Sequence, residues 1–488
     1  MNKQIIKLFG FTVVLFGVLI GFTSYWSVFE AEALKEKDAN KRPLFEQQQI
    51  KRGRILAADG TVIARSVPKG SGESLRYVRR YPEGSLFGHP IGYSFVEEGD
   101  TEFEQFHNDQ LVGNDSEFTS ILDELRGKQQ EGNDIVTNID TGAQEVALNA
   151  LEAQGFGAVV AIEPSTGKVR VMASNAPYDP NRIPYEIGKL STNEFEAPLV
   201  NRATQSRYPP GSTFKVVTAA AALDAGVITP DTPIDAPGSL DVQGIPLEND
   251  FGTSYSGLTL NDALTNSVNT YFAQVGEKVG EDTLFEYMDK FGFNTKPAID
   301  IPSDELEVSG IVDLEAGGAV LSRDDPIDIA RVAIGQERLL ATPIQMAEVA
   351  AAVANGGTLM KPQIWNRVID PDGRVTEELD PSEFSQPISE ESAAELTTAM
   401  EGVVNEGTGT NAAISGIPVA GKTGTAETPG NTSCGGGEDE NQAWFIGFAP
   451  ADDPQIAIAA SVECTPEFGG DVAAPIFREV AEAILQSE

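Results

Sequence analysis

From Leu8 to Phe29 the chain runs for 22 residues without a charged side chain, and Glu30 ends the run. As a helix this stretch is about 33 Å long, enough to cross the hydrocarbon core of a bilayer. Left in water it would expose apolar surface on every face, so the segment predicts a membrane helix before anything else about the fold is known. Tyr25 and Trp26 fall where an interfacial aromatic belt belongs, and Lys3 and Lys7 precede the run while Glu30 and Glu32 follow it. That charge bias assigns residues 1–7 to the cytoplasm, residues 8–29 to the anchor and all later residues to the outside. Ala31-Glu32-Ala33 has the small-x-small form of a signal-peptide cleavage site, which is the competing reading. The run exceeds the length of a typical signal core, which favours an uncleaved anchor, and export follows in either case.

Export bears on the two cysteines, Cys434 and Cys464. In an oxidising exterior they are candidates for a disulfide whose loop closure contributes about 3–4 kcal/mol, a pair of free thiols being the alternative. The exported chain is also acidic, with 74 Asp and Glu against 34 Lys and Arg and a formal charge of −40. No basic stripe is present to neutralise phosphates, so DNA and RNA are excluded as partners. The plain reading of this charge is a solvated acidic surface. With only two histidines, His89 and His107, and two cysteines, neither a zinc site nor a Ser-His-Asp triad is easily assembled. No metal or cofactor is expected. If the chain is a nucleophilic enzyme, its base is something other than histidine.

At 488 residues the chain has material for about three modules. After a helical stalk, residues 52–64 read as two short strands joined at Asp59-Gly60, and mixed, turn-rich sequence runs to residue 155. The texture changes at Gly157. A strand hairpin (157–164 and 168–174) leads into helical segments at 212–225, 258–266, 270–280, 282–291 and 343–355. Thr342 and Gln345 form a capping box for the last of these, with Pro343 at its first position. Strands return at 417–427, 443–449 and 456–463, before a closing helix at 474–485. This order suggests an α+β domain, residues 156–488, in which one sheet is assembled from both ends and covered by helices.

A serine can be activated by lysine in place of histidine, and Ser-x-x-Lys puts both side chains on one face of a helix. The pattern occurs three times. Ser66-Val67-Pro68-Lys69 contains a proline that forces Val67 extended, and Ser165-Thr166-Gly167-Lys168 lies in a hairpin turn. Only Ser212-Thr213-Phe214-Lys215 opens a helix, after the rigid Pro209-Pro210-Gly211 and ahead of an apolar run. Burial there, with other cations nearby, would lower the Lys215 pKa and let its amine take a proton. The plainer alternative makes Ser212 an N-cap and Lys215 a surface residue. Ser267-Val268-Asn269 falls between two expected helices, where Ser267 could point into a cleft or merely cap the next helix. Lys422-Thr423-Gly424-Thr425 lies on an expected strand, where a cation and a hydroxyl can bind a carboxylate and Gly424 lets a ligand approach the backbone.

Each motif alone is weak, but Ser-x-x-Lys, Ser-x-Asn and Lys-Thr-Gly in that order form the signature of penicilloyl serine transferases. The chain resembles the class B penicillin-binding proteins, monofunctional peptidoglycan D,D-transpeptidases, and among them the membrane-anchored actinobacterial type. Further carriers of the resemblance are Arg52-Gly53-Arg54-Ile55, Tyr81-Pro82-Glu83-Gly84, Ile91-Gly92-Tyr93, and Glu104 with Leu111 and Gly113. To these add Asn201-Arg202-Ala203-Thr204, Ile334-Gly335-Gln336 and Ala443-Trp444-Phe445. Two departures stand out: Glu337 replaces a usual glycine, and Thr101-Glu102-Phe103 stands where Thr-Gly-Leu is common. The resemblance implies a five-stranded antiparallel sheet flanked by helices, an all-helical part, and an irregular β-rich pedestal over residues 30–155. It also implies Ser212 as nucleophile, Lys215 as base and Ser267 as proton relay. Asn269, Lys422, Thr423, Gly424 and Thr425 would bind substrate, with the N–H groups of Ser212 and Thr425 as oxyanion hole. Stem peptides, β-lactams, and a membrane-embedded glycan polymerase with other division or elongation proteins are the implied partners. If the last three strands form a meander, Cys434 and Cys464 meet at one edge.

Rival functions use the same serine for a D,D-carboxypeptidase or β-lactamase, or make the chain a non-catalytic β-lactam sensor or division scaffold. The pedestal and anchor favour transpeptidation. About seven residues inside the cell leave a sensor no output domain, and the retention of Ser212, Lys215 and Lys422 argues against a dead scaffold. The stretch between residue 30 and Gly157 is too short for a glycosyltransferase domain.

Overall fold

The structure, a computed structural model, describes residues 2–26, 48–113, 130–193, 195–314, 316–427 and 441–487. Its first element is the helix Asn2–Ser24, whose apolar side chains, Phe9, Leu15 and Phe22 among them, are exposed all round. Among the described residues this is the one helix long and apolar enough to cross a membrane, over Lys3–Ser24. It starts earlier than the uncharged run because Lys3 and Lys7 are helical too, and lysine stems can reach from such positions to a membrane surface. Residues 27–29 of the expected span lie outside the described residues.

The first module after the apolar helix is built on the Asp59-Gly60 turn. Gly60 takes φ +87°, and the Thr61 N–H donates to Asp59 Oδ1 at 2.9 Å. The strands Ile55–Leu56 and Val62–Lys69 pair across it, Arg76–Arg80 adds to the far edge, and Asp134–Thr137 runs parallel to Ile55–Leu56. Trp365–Ile369 then pairs with Asp134–Thr137, and Val375–Glu378 closes a six-stranded sheet. Two strands of that sheet therefore come from far beyond residue 155. Conversely, the helix Thr141–Gln154 packs on the second module's closing helix and on Val169–Asn175. A boundary drawn on chain texture misses both crossings, because texture does not record which sheet a segment joins.

Beneath this sheet the buried Glu104 carboxylate accepts Arg52 Nε at 2.8 Å, Arg79 Nε at 2.6 Å and the Tyr81 hydroxyl at 3.1 Å. Burial alone would push its carboxyl up, but the two guanidiniums hold it below its ordinary value. This explains why Arg52 and Glu104 occur together.

The second module is a five-stranded antiparallel sheet in the order Ala420–Glu427, Asn441–Ala449, Ile456–Thr465, Gly157–Ile162, Val169–Asn175. Both ends of the domain contribute, as the sequence order suggests. Nearly every described position of its central strands is buried, which is why they read as continuous apolar runs and not as alternation. Gly469–Ser487 and Thr141–Gln154 cover one face, and Pro343–Ala354 covers the other. Thr342 caps that last helix, accepting the Gln345 N–H at 3.3 Å. The reciprocal half of the expected capping box is absent, because the Gln345 side chain donates to the Phe291 carbonyl at 2.8 Å instead. Cys464 carries no free thiol; its expected partner, Cys434, lies outside the described residues.

Candidate active site

Three backbone segments converge on Ser212. The serine sits in a 3-10 turn, Gly211–Phe214, that passes directly into the α-helix Lys215–Asp224. Gly211 takes φ +53° and its N–H donates to the Gly335 carbonyl at 3.0 Å. A Cβ on Gly335 would lie 1.9 Å from the Gly211 oxygen, so the Ile334-Gly335-Gln336 turn can nest against the serine turn only without one. On the other side a Cβ at Gly424 would meet the Pro210 oxygen at 2.7 Å and Thr213 Cγ2 at 2.9 Å. Gly424 is therefore demanded by close packing of the strand on the serine turn itself, a correction to the expectation that its space serves an approaching ligand. Trp444 Nε1 donates to the Pro209 carbonyl at 3.0 Å and ties the neighbouring strand to the same turn.

Lys215 is fully buried, not a surface residue, and Ser212 makes no N-cap contact. Lys215 Nζ lies 2.9 Å from Ser212 Oγ, 2.7 Å from the Ser267 carbonyl oxygen, 3.2 Å from Ser267 Oγ and 2.6 Å from Asn269 Oδ1. The Ser267 carbonyl and Asn269 Oδ1 are acceptors only, so they occupy two N–H bonds of the amine. In the neutral amine the remaining lone pair is then free to accept the Ser212 hydroxyl hydrogen.

Ser267 adopts φ +55° between the helices Leu260–Thr265 and Asn269–Val279. It does not cap the second helix, where Val268 holds the N-cap position without a side-chain bond. Its hydroxyl is instead suspended between two lysine side chains, 3.2 Å from Lys215 Nζ and 3.0 Å from Lys422 Nζ. Such a left-handed conformation in a non-glycine residue costs about 1–2 kcal/mol and is the kind of strain found at functional sites. Asn269 Nδ2 donates to the Glu248 carbonyl at 2.9 Å, so much of this amide is spent on holding Lys215 and the cleft wall.

Lys422, also fully buried, donates to the Thr423 carbonyl at 3.0 Å, and Thr423 Oγ1 lies 2.6 Å from Thr408 Oγ1. Thr425 Oγ1 accepts the Gly469 N–H at 3.1 Å. Burial pushes the Lys215 amine well below its usual value and the Lys422 ammonium adds to the effect, while Asp250 opposes it. Burial likewise brings Lys422 down to about 7, again against Asp250.

These groups open on a cleft of about 1260 Å³ lined by Ser212, Ser267, Asn269, Thr423 and Thr425 together with Thr408, Asp250, Phe251 and Phe468. The last four carry no motif and were not anticipated. Thr408 belongs to the loop after the helix Glu390–Asn405, and its only sequence signal is the flanking pair Gly407 and Gly409. His89 and His107 serve elsewhere: His89 Nε2 lies 3.0 Å from the Pro198 carbonyl and His107 Nε2 lies 3.1 Å from Asp300 Oδ2. Among the described residues no group of three or more His, Cys, Asp or Glu is placed to hold a metal ion.

Comparison with known proteins places this geometry. A family model described as penicillin binding protein transpeptidase domain matches residues 157–482, and one described as penicillin binding protein A dimerisation domain matches residues 52–135. The chain is 33% identical over its whole length to the peptidoglycan D,D-transpeptidase PbpA of Mycolicibacterium smegmatis, covering 99% of that protein. Penicillin-binding protein A from M. tuberculosis, solved as a penicillin G acyl-enzyme complex, superposes with TM-score 0.78 at 32% identity over 89% of this chain and 100% of that one. A D,D-transpeptidase domain from Eggerthella lenta gives TM-score 0.77 at 33% identity over 90% and 99% of the respective chains.

Proposed function

Because this chain belongs to the penicillin-binding protein transpeptidase family, we infer that it is a peptidoglycan D,D-transpeptidase working through a serine acyl-enzyme, and a target of covalent β-lactams. The observation that carries the inference is the buried Lys215 amine 2.9 Å from Ser212 Oγ. In the proposed reaction, Lys215 takes the Ser212 proton as Oγ attacks the carbonyl between the terminal D-alanines of a stem peptide. The N–H groups of Ser212 and Thr425 receive the developing oxyanion, each donor worth about 3 kcal/mol. Ser267, in reach of both lysines, passes the proton to the leaving D-alanine nitrogen. Lys422, Thr423 and Thr408 bind the terminal carboxylate, and the remaining N–H of Asn269 contacts the donor peptide. An amine from a second stem then attacks the ester, its proton returns through Lys215 to Ser212, and a crosslink is left.

In the same reading residues 1–7 are cytoplasmic, 8–29 anchor the chain, 30–155 form most of the pedestal outside the cell, its sheet completed by Trp365–Ile369 and Val375–Glu378, and the rest of 156–488 forms the catalytic domain. The apolar helix, read as spanning the membrane, suits a membrane-embedded glycan polymerase as partner, alongside other division or elongation proteins.

Incubating the enzyme with a D-Ala-D-Ala donor and an acceptor amine, and weighing the products by mass spectrometry, separates crosslinking from hydrolysis. The crosslinked product should exceed the hydrolysed donor; hydrolysis alone would make the protein a carboxypeptidase. The pH dependence follows from the two lysines. A lysine with a depressed value loses its charge as pH rises through that value, so Lys422 stops binding a carboxylate above about pH 7. The second-order constant for penicillin acylation should rise from the acid side as Lys215 becomes neutral, then fall above about pH 7. At saturating penicillin the bound carboxylate holds the Lys422 charge, and the falling limb should disappear. A second-order constant still rising steadily far above pH 7 would contradict this assignment of Lys422.

A further inference from the structure

The first module meets the segment ahead of the serine at His89, beside Pro198 and Asn201, and at Glu102, beside Gln205. The Glu102 backbone is left-handed at φ +50°, a conformation that favours glycine, yet the residue is a glutamate with 4% exposure. The Glu102 N–H donates to Glu305 Oε2 of the second module at 2.7 Å, and Gln205 Nε2 donates to Glu102 Oε1 at 3.1 Å. Glu102 Oε2 is buried with no donor facing it. A carboxyl in that position is best accommodated with its own hydrogen, and the bond from the Glu102 N–H sets the Glu305 carboxylate beside it as the acceptor. Gln205 ends the short helix Arg202–Gln205, capped by Asn201, and six residues separate it from Ser212. The Glu307 N–H also donates to the Thr204 carbonyl at 2.9 Å, so the loop that carries Glu305 holds the same helix.

We propose that Glu102 is a positioning residue for acylation: with a proton shared with Glu305, it clasps the first module to the Asn201–Gln205 segment and so fixes the approach to Ser212. This rests on the reading of Ser212 as the acylated serine. The groups facing the pair are Asp304 on the Glu305 loop and the phenols of Tyr93 and Tyr178, with Asn201 and Gln205 as neutral partners. None of these is a cation that could stabilise two carboxylates side by side. Burial first, and the Glu305 charge second, push the Glu102 carboxyl well above its ordinary value; burial also raises Glu305. For a carboxyl raised in the folded state, the clasp is complete at low pH and is lost as pH rises through that raised value.

The test compares full-length wild type in detergent with Glu102→Gln, whose amide donates to Glu305 and accepts from Gln205 at every pH. The ratio of wild-type to variant acylation constants with a fluorescent penicillin cancels the lysine profile. It should be near one at about pH 6 and fall about threefold or more by about pH 9. A flat ratio overturns the proposal. If Glu102→Gln does not fold, Glu305→Gln serves in its place, since its amide oxygen still accepts the Glu102 proton. Amide hydrogen exchange at residues 201–205, corrected for intrinsic rate, is independent of activity. Wild-type exchange that accelerates with pH relative to the variant supports the clasp even if Ser212 were not the labelled serine, and equal protection at all pH values overturns it.

Discussion

Replacing Lys215 by methionine should slow penicillin acylation by about three orders of magnitude while leaving the fold intact. The two side chains are of similar length, and the site is fully buried, so methionine fills the volume without a cavity. Its thioether cannot take the Ser212 proton. The substitution leaves the Ser267 carbonyl and Asn269 Oδ1 without their donor, a cost of about 1–3 kcal/mol. Against that it removes an amine whose protonation burial opposes. Thermal unfolding should therefore change little while the acylation constant collapses. A rate within tenfold of wild type would mean that another group deprotonates the serine. Arginine would be no substitute, since it stays protonated and is too large for the space.

The chemistry-bearing residues were legible because their chain context restricts geometry. Proline in Ser66-Val67-Pro68-Lys69 and the hairpin turn at Ser165 left one Ser-x-x-Lys that could share a helical face, and that pair lies in contact in the fold. The five strands were legible as apolar runs, and their assembly from both ends followed from their order. What escaped lies in tertiary context. Local sequence does not say that Trp365–Ile369 completes the first module's sheet, because strand pairing across more than two hundred residues leaves no periodic trace. Nor does it say that Gln345 reaches Phe291 instead of its own N-cap. Thr408 enters the cleft from a turn after a helix and Asp250 from the short 3-10 turn Asp250–Gly252, where residue type carries little positional information.

Glycine shows the same division. Gly211, Gly335 and Gly424 are explained by one event, the nesting of two other segments on the serine turn, which no single motif reveals. The two departures from the usual pattern were visible in the sequence, but their meaning was not. Glu102 and Glu337 both occupy left-handed backbone, at φ +50° and +66°. Each position combines a backbone conformation that favours glycine with a charged side chain.

The strongest effect is expected at Ser212. Its Oγ contacts Lys215 Nζ, and the side chain is only partly buried, so Ser212→Ala removes one hydroxyl and leaves the Lys215 bonds to Ser267 and Asn269 in place. The neighbouring hydroxyls are engaged elsewhere: Ser267 Oγ with both lysines, Thr423 Oγ1 with Thr408 Oγ1, Thr425 Oγ1 with the Gly469 N–H, and Thr213 Oγ1 with the Pro210 carbonyl at 2.7 Å. The decisive measurement is intact-mass analysis of wild type and Ser212→Ala after incubation with penicillin G, with peptide mapping of any adduct. The account predicts one penicilloyl group on wild type, mapped to Ser212, and none on the variant. Equal labelling of both proteins, or an adduct mapped to another residue, would contradict it.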